Sequence, residues 1–186
     1  MFGQTMFLKA LALTAVLLAA PAAGVAAQPA NDLRTFQAVA ASVNASPHFT
    51  IFDDVAVTVE DGVVRLTGKV TSGHKRSEFE EAVAKVAGVR QVINDITLLP
   101  ASTFDDELRQ RIARAIYGNS NFWNYAIMPS PPIHIIVDRS HVTLTGVVQN
   151  EVDRRLAQAL ATQFGALSVT NALQTAAEAR RLDSLD

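Results

Sequence analysis

One five-residue phrase occurs twice in this chain, as Val64-Arg65-Leu66-Thr67-Gly68 and again as Val142-Thr143-Leu144-Thr145-Gly146. The surroundings repeat as well. An alternating stretch precedes each phrase, Val55-Ala56-Val57-Thr58-Val59 in one copy and Ile133-His134-Ile135-Ile136-Val137 in the other. A helical stretch follows each, and then Val92-Ile93-Asn94-Asp95-Ile96 or Val169-Thr170-Asn171-Ala172-Leu173. A chain built this way is two copies of one supersecondary unit, not a single mid-sized domain. Each copy lies near the lower size limit for independent folding, so docking between the copies adds stability.

The first copy spans residues 30–100. Phe36, Val39, Ala40 and Val43 recur at helical spacing and predict an amphipathic helix, with Asp32 near its start, where a carboxylate suits exposed amides. Ser46-Pro47 ends it. Val55, Val57 and Val59 then share one face of a strand, and Glu60-Asp61-Gly62 signals a tight hairpin turn. The next strand places Val64 and Leu66 inward. Gly68 interrupts that strand and is read as room for a helix crossing the sheet. The second helix buries Phe79, Ala82, Val83 and Val86, Gly88 stops it, and residues 89–98 form a third strand.

The second copy spans residues 101–175, with residues 176–186 as a helix-prone tail. Leu108, Ile112, Ala115 and Ile116 make its first apolar stripe, on a helix opened by Asp105-Asp106-Glu107. Asp138-Arg139-Ser140 replaces the first copy's turn and lacks its glycine. Asn150 caps a helix that turns Leu160 and Phe164 inward, Gly165 ends it, and residues 167–174 form the last strand. The copies differ in length at one place. Five extra residues fall within 119–132, a stretch that holds the only tryptophan, Trp123, together with Tyr125. The expected fold is α+β: two tandem αββαβ modules, each a three-stranded sheet covered on one face by two helices. The open sheet faces need cover, and the opposite module is the nearest source.

Residues 1–27 read as a cleavable signal peptide. Lys9 is the only early charge, the run 11–20 is apolar, and Val25-Ala26-Ala27 supplies small residues before Gln28. Pro21 and Gly24 interrupt the apolar run short of the roughly 20 residues a membrane span needs. With Lys9 gone, about 15 basic residues face 18 acidic ones. That balance argues against a nucleic-acid partner, which normally calls for a basic excess. The chain has no cysteine, which removes disulfides, thiolate metal sites, cysteine nucleophiles and the acylation site of a bacterial lipoprotein together.

The order helix, strand, turn, strand ending in V-x-L-T-G, helix, glycine and V-x-N-x-I resembles the BON domain, a bacterial module of osmotically induced periplasmic proteins and outer-membrane lipoproteins. The resemblance rests on Leu66, Thr67, Gly68, Val92 and Asn94, then on Leu144, Thr145, Gly146, Val169 and Asn171. It implies the αββαβ unit, a periplasmic envelope location, and a non-catalytic role in binding phospholipid or supporting the envelope under osmotic stress. The partners it implies are anionic phospholipid, the inner face of the outer membrane, or envelope proteins. Without a lipidated cysteine the chain is similar to the family's soluble members.

The stretch best suited to membrane contact runs from 111 to 128. Arg111 and Arg114 can meet anionic headgroups while Tyr117, Phe122, Trp123, Tyr125, Ile127 and Met128 favour a half-wet interface. The competing reading is that these aromatics cover a core edge or pack between modules, since tryptophan in a small protein is mostly buried. His48, His74, His134 and His141 are scattered and predict no metal site. Asp53-Asp54 and Asp105-Asp106 read as a loop and a helix start, not as acid/base pairs. No cofactor motif or nucleophile signature occurs, so catalysis is not expected. An alternative function is a protein-binding adaptor or chaperone-like protein that uses an open sheet edge or the aromatic loop.

Overall fold

The computed structural model describes residues 28–182, so the expected signal peptide lies outside the described residues. The elements are α1 (Gln28–Asn44), β1 (Asp54–Glu60), β2 (Val63–Val70), α2 (Gly73–Ala84), β3 (Gln91–Asn94) and β4 (Thr97–Leu98), followed by α3 (Thr103–Tyr117), α4 (Trp123–Ala126), β5 (Ile133–Asp138), β6 (His141–Val148), α5 (Glu151–Ala161), β7 (Ser168–Asn171), β8 (Gln174–Thr175) and α6 (Ala176–Leu182). The fold is α+β with two repeated modules. In each, the central strand pairs antiparallel with the strand before it and parallel with the strand after the helix, giving the orders β1-β2-β3 and β5-β6-β7. What the sequence presents as one third strand is two short pieces, β3 with β4 and β7 with β8, both paired to the same central strand.

The repeated phrase accounts for this geometry. Val64 and Leu66, with Val142 and Leu144, are fully buried and centre the two cores. Full burial of one such side chain contributes about 1.5–3 kcal/mol. The glycine, however, does not make room for a helix. A β-carbon on Gly68 would lie 2.1 Å from the Asp54 carbonyl oxygen, and on Gly146 1.8 Å from that of Pro132. Both glycines have φ above +100°. They kink the central strand where its parallel partner changes from β3 to β4 or from β7 to β8, and the preceding strand's own backbone fills the space. The asparagine of V-x-N fastens the third strand to the helix. Asn94 Nδ2 donates to the Arg76 carbonyl at 3.0 Å and Asn171 Nδ2 to that of Arg154 at 2.9 Å, while each Oδ1 accepts the amide two residues on.

Three expectations are corrected. Asp32 lies inside α1, not at its start, and its carboxylate accepts the amides of Asp61 and Gly62 at 2.8 and 3.1 Å. Asp105 accepts those of Arg139 and Ser140, both at 2.9 Å. The second hairpin therefore holds the same left-handed turn without glycine, with φ of 50° at Arg139 and 67° at Ser140. Phe36, expected inward, is 40% exposed, whereas Val39 and Val43 are buried as expected.

The modules meet through the segment between α1 and β1. The Ile135 amide donates to the Ile51 carbonyl at 2.7 Å, and His134 Nδ1–H to that of Asp53 at 2.6 Å. The Lys69 ammonium pairs with Asp138 at 2.6 Å, and Thr145 donates to Asp54 at 3.4 Å. The first module thus covers part of the second module's open sheet face, where Ile136 is buried. Its own open face stays exposed at Ala56, Thr58, Glu60 and Arg65.

Candidate functional site

The stretch 111–128 divides into a buried half and an exposed half. After α3 ends at Tyr117, Asn119 turns the chain by accepting the Asn121 amide at 3.0 Å, and a single 3-10 turn leads into the short α4. Phe122 is fully buried and Tyr125 nearly so, their rings 5.7 Å apart, both in the second module's core. Between and beyond them, Trp123 is 65% and Ile127 63% exposed. These two are four residues apart and share the outward side of the turn. Met128 continues the apolar patch.

Three of the residues proposed for lipid contact are committed to the fold. Tyr117 Oη donates to the Ile133 carbonyl at 2.6 Å and accepts the Ile133 amide at 3.0 Å, so it closes the outer edge of β5. Burial pushes its phenol well above the ordinary range against the opposing effect of that carbonyl bond. Tyr125 Oη donates to Asp153 Oδ2 at 2.6 Å and accepts the Gln149 amide at 2.7 Å. Burial first, and the neighbouring Asp153 second, push its phenol up to about 12. Phe122 supplies apolar contact from beneath. These three support the patch and do not present it, because a hydroxyl with a buried partner and a ring without exposed surface have nothing to offer an interface.

The arginines also differ in role. Arg111 is half-exposed and pairs with Glu107 at 3.0 Å, so it is not a free cation. Arg114, in the last turn of α3, is exposed and has no ion pair among the described residues. Arg109, which sequence reasoning left out of the site, is buried, donating to the Val137 carbonyl at 2.6 Å and pairing with Asp106. It closes β5 further along. Val152, also missed, is 72% exposed in the first turn of α5, one residue before the Asp153 that holds Tyr125.

The acidic pairs serve the fold. Asp53 is fully buried, and it accepts from Thr50 N and Oγ1, from Thr71 N and Oγ1, and from Lys75 Nζ at 2.6 Å. Burial alone would raise its pKa, but the hydrogen bonds from Lys75, from the Thr50 hydroxyl and from the Thr71 and Thr50 amides outweigh it and hold the carboxyl below its ordinary range. A cleft of about 620 Å³ lies between the modules, lined by Asp54, Lys69, Ile136, Asp138, His141 and Thr143 among others. The Lys69–Asp138 pair lies within it. Among the described residues, no helix is long and apolar enough to cross a membrane.

The histidines are less scattered than their spacing suggests. His48 and His74 stand edge to face, with ring centres 5.6 Å apart, and both approach Glu78. His134 instead lies against Phe49 at the joint between the modules, 5.2 Å from its ring.

No curated protein matches the chain significantly. Among solved structures it is similar to CdsD, a structural protein of the type III secretion system of Chlamydia trachomatis. That match has 15% identity and a TM-score of 0.28, covering 82% of this chain and 97% of that one. The C-terminal domain of CdsD matches at 14% identity and the same TM-score of 0.28, over 74% of this chain and 94% of the other. The BON domain model matches twice, at residues 31–100 and 104–177. The chain belongs to the BON domain family and carries two of these domains in tandem.

Proposed function

We propose that this protein is a non-catalytic, periplasmic, envelope-associated protein that touches phospholipid membrane surfaces reversibly and supports envelope integrity under osmotic stress. Tandem BON domains are associated with membrane or phospholipid binding in envelope proteins. The observation that carries the reading to particular residues is the exposed pair Trp123 and Ile127, at 65% and 63%, fixed on a turn whose underside is buried. An exposed apolar patch that the fold does not need is the usual mark of an interaction surface. A tryptophan ring prefers the boundary between headgroup and acyl chain. Arg114 supplies a cation close by in sequence that has no ion pair among the described residues. One aromatic patch and one or two cations contribute only a few kcal/mol, so attachment is transient.

Vesicle flotation tests this. The full chain is expected to float with phosphatidylglycerol vesicles and less with phosphatidylcholine ones. Because Trp123 is the only tryptophan, its emission should shift to the blue on binding. Trp123→Ala should reduce flotation several-fold. Equal flotation of Trp123→Ala and the unaltered chain would remove the site.

A second reading, a protein-binding adaptor, is favoured by one observation. The hairpin geometry turns the amides and carbonyls of Val55, Val57 and Val59 away from β2, as it does those of Ile133, Ile135 and Val137 on β5. Tyr117, Ile51 and Arg109 cap the β5 edge. Among the described residues nothing caps the β1 edge. A strand from an envelope protein could add there. Val57→Pro removes only an outward donor, so loss of a cross-linked partner with unchanged flotation would support this reading over the first.

A further inference from the structure

We propose that His48, His74 and Glu78 form a binding site for a divalent transition-metal ion of the zinc class. The inference is independent of the membrane reading and lies in the other module.

The site is assembled from two elements. His48 follows the Ser46-Pro47 break after α1, while His74 and Glu78 stand one turn apart on α2. His48 Nδ1 lies 2.7 Å and His74 Nε2 3.7 Å from the same carboxylate oxygen, Glu78 Oε2, and the potential ligand atoms all lie within 4.8 Å of one another. A tetrahedral zinc ion with bonds of about 2.0–2.2 Å requires its ligand atoms to be about 3.3–3.5 Å apart. The separations present straddle that value, and both imidazoles are exposed, which leaves them room to rotate toward it.

The donor chemistry fits the same class. Two imidazoles and one carboxylate suit zinc and its neighbours, and suit magnesium or calcium poorly. Ser46 Oγ donates to the other Glu78 oxygen at 2.6 Å, which orients the carboxylate and leaves Oε2 turned to the histidines. The nearby cations are engaged elsewhere, Lys75 by Asp53 and Arg76 by the Asn94 carbonyl. Both histidines are more than half exposed, so an ion reaches the site from solvent and keeps a fourth position for water.

Such an ion would have a structural consequence. The segment from Ser46 to Asp54 is tied to α2 at its far end by the Asp53–Lys75 pair, and it carries the carbonyls of Ile51 and Asp53 that receive the second module. A metal bridging His48 to α2 would tie the near end as well. The joint between the modules would then be held more tightly when the ion is present.

The test uses the full chain, titrated with zinc chloride by calorimetry and followed by imidazole NMR. The expected result is saturable uptake of one ion per chain, with the His48 and His74 signals moving most and the signal of His141, remote from the joint, unmoved. His48→Ala, His74→Ala and Glu78→Gln should each weaken uptake at least tenfold, and Ser46→Ala about tenfold, the usual effect of removing a partner that orients a ligand. Magnesium should give no heat. Hydrogen exchange at residues 49–53 should slow on adding zinc. No saturable uptake, or undiminished uptake in His74→Ala with its circular dichroism intact, would overturn the assignment. Movement of all four histidine signals together would do the same.

Discussion

Replacing Asp53 by asparagine changes one atom of a fully buried side chain and should destabilise the first module more than any surface change. Oδ1 accepts from Thr71 N and Oγ1 at 3.0 and 3.1 Å, and the amide oxygen of asparagine can keep both bonds. Oδ2 accepts from Thr50 N, Thr50 Oγ1 and Lys75 Nζ at 2.9, 2.6 and 2.6 Å. An NH2 group in its place confronts three donors with another donor. Lys75, whose side chain is 14% exposed, also loses its counter-ion. Three bonds to a charged acceptor at about 1.5–3 kcal/mol each set an upper bound that relaxation reduces. Breaking one partner of a buried pair typically costs about 3–5 kcal/mol, which is the expected loss here. At about 2–4 °C per kcal/mol for a chain of this size, the midpoint should fall by about 10 °C. Thermal and urea unfolding followed by far-UV circular dichroism would measure it, and hydrogen exchange should rise first at residues 50–54 and 71–75. Asp53→Asn combined with Lys75→Met should lose less than the two single changes together, because the double variant strands no charge. A single variant within about 0.5 kcal/mol of the parent, or strict additivity in the double, would refute the reasoning.

Other outcomes follow from the same geometry. Gly146→Ala should cost about 3 kcal/mol, since φ is +108° and the new β-carbon would lie 1.8 Å from the Pro132 oxygen; chemical denaturation checks it. Asp105→Ala should cost about 3 kcal/mol by freeing the Arg139 and Ser140 amides, and Ser140→Gly in that background should recover about 1 kcal/mol. Stability should also fall at both pH extremes. The Asp53 and Asp138 carboxyls are held below their unfolded range, so their contribution is present above about pH 4 and is lost as the pH falls through the folded values. The Tyr125 phenol is raised to about 12, so its contribution is present below about pH 10 and is lost as the pH rises through 12. A stability profile that stayed flat from pH 5 down to pH 2 would count against the Asp53 assignment.

Much of the fold was legible because the repeat stated it twice. Leu66 and Leu144 mark the same core position, and the stripe of Leu108, Ile112 and Ile116 faces inward as its spacing requires. The glycine of the phrase was legible as a close approach, but not as an approach by the neighbouring strand, because periodicity says nothing of which element comes near. Phe36 fits a helical stripe by count, but the face that is buried is centred on Thr35, Val39 and Val43, and Phe36 lies to one side of it. Within the aromatic stretch, composition cannot separate Tyr125 from Trp123. The difference lies in Asp153 and the Gln149 amide, which approach only after folding. The proximity of His48 and His74 was illegible for the same reason: they are brought together by α2 packing beside the loop after α1. Asp105 is the helix-start acid its position suggests and Asp32 is not, yet both hold hairpin turns, a contact across about 30 residues that local pattern does not register.

The open edge of β1 also carries information about self-recognition. Antiparallel pairing of two β1 strands about Val57 would place Asp54 of each copy opposite Glu60 of the other, so two acid pairs would repel across the junction. The edge is thus selective by charge, turning away its own copies while leaving Val55, Val57 and Val59 available to a strand flanked by lysine or arginine. That repulsion is strongest at low salt. High ionic strength should therefore promote dimers through this edge, while the capped outer edge of β5 takes no second strand.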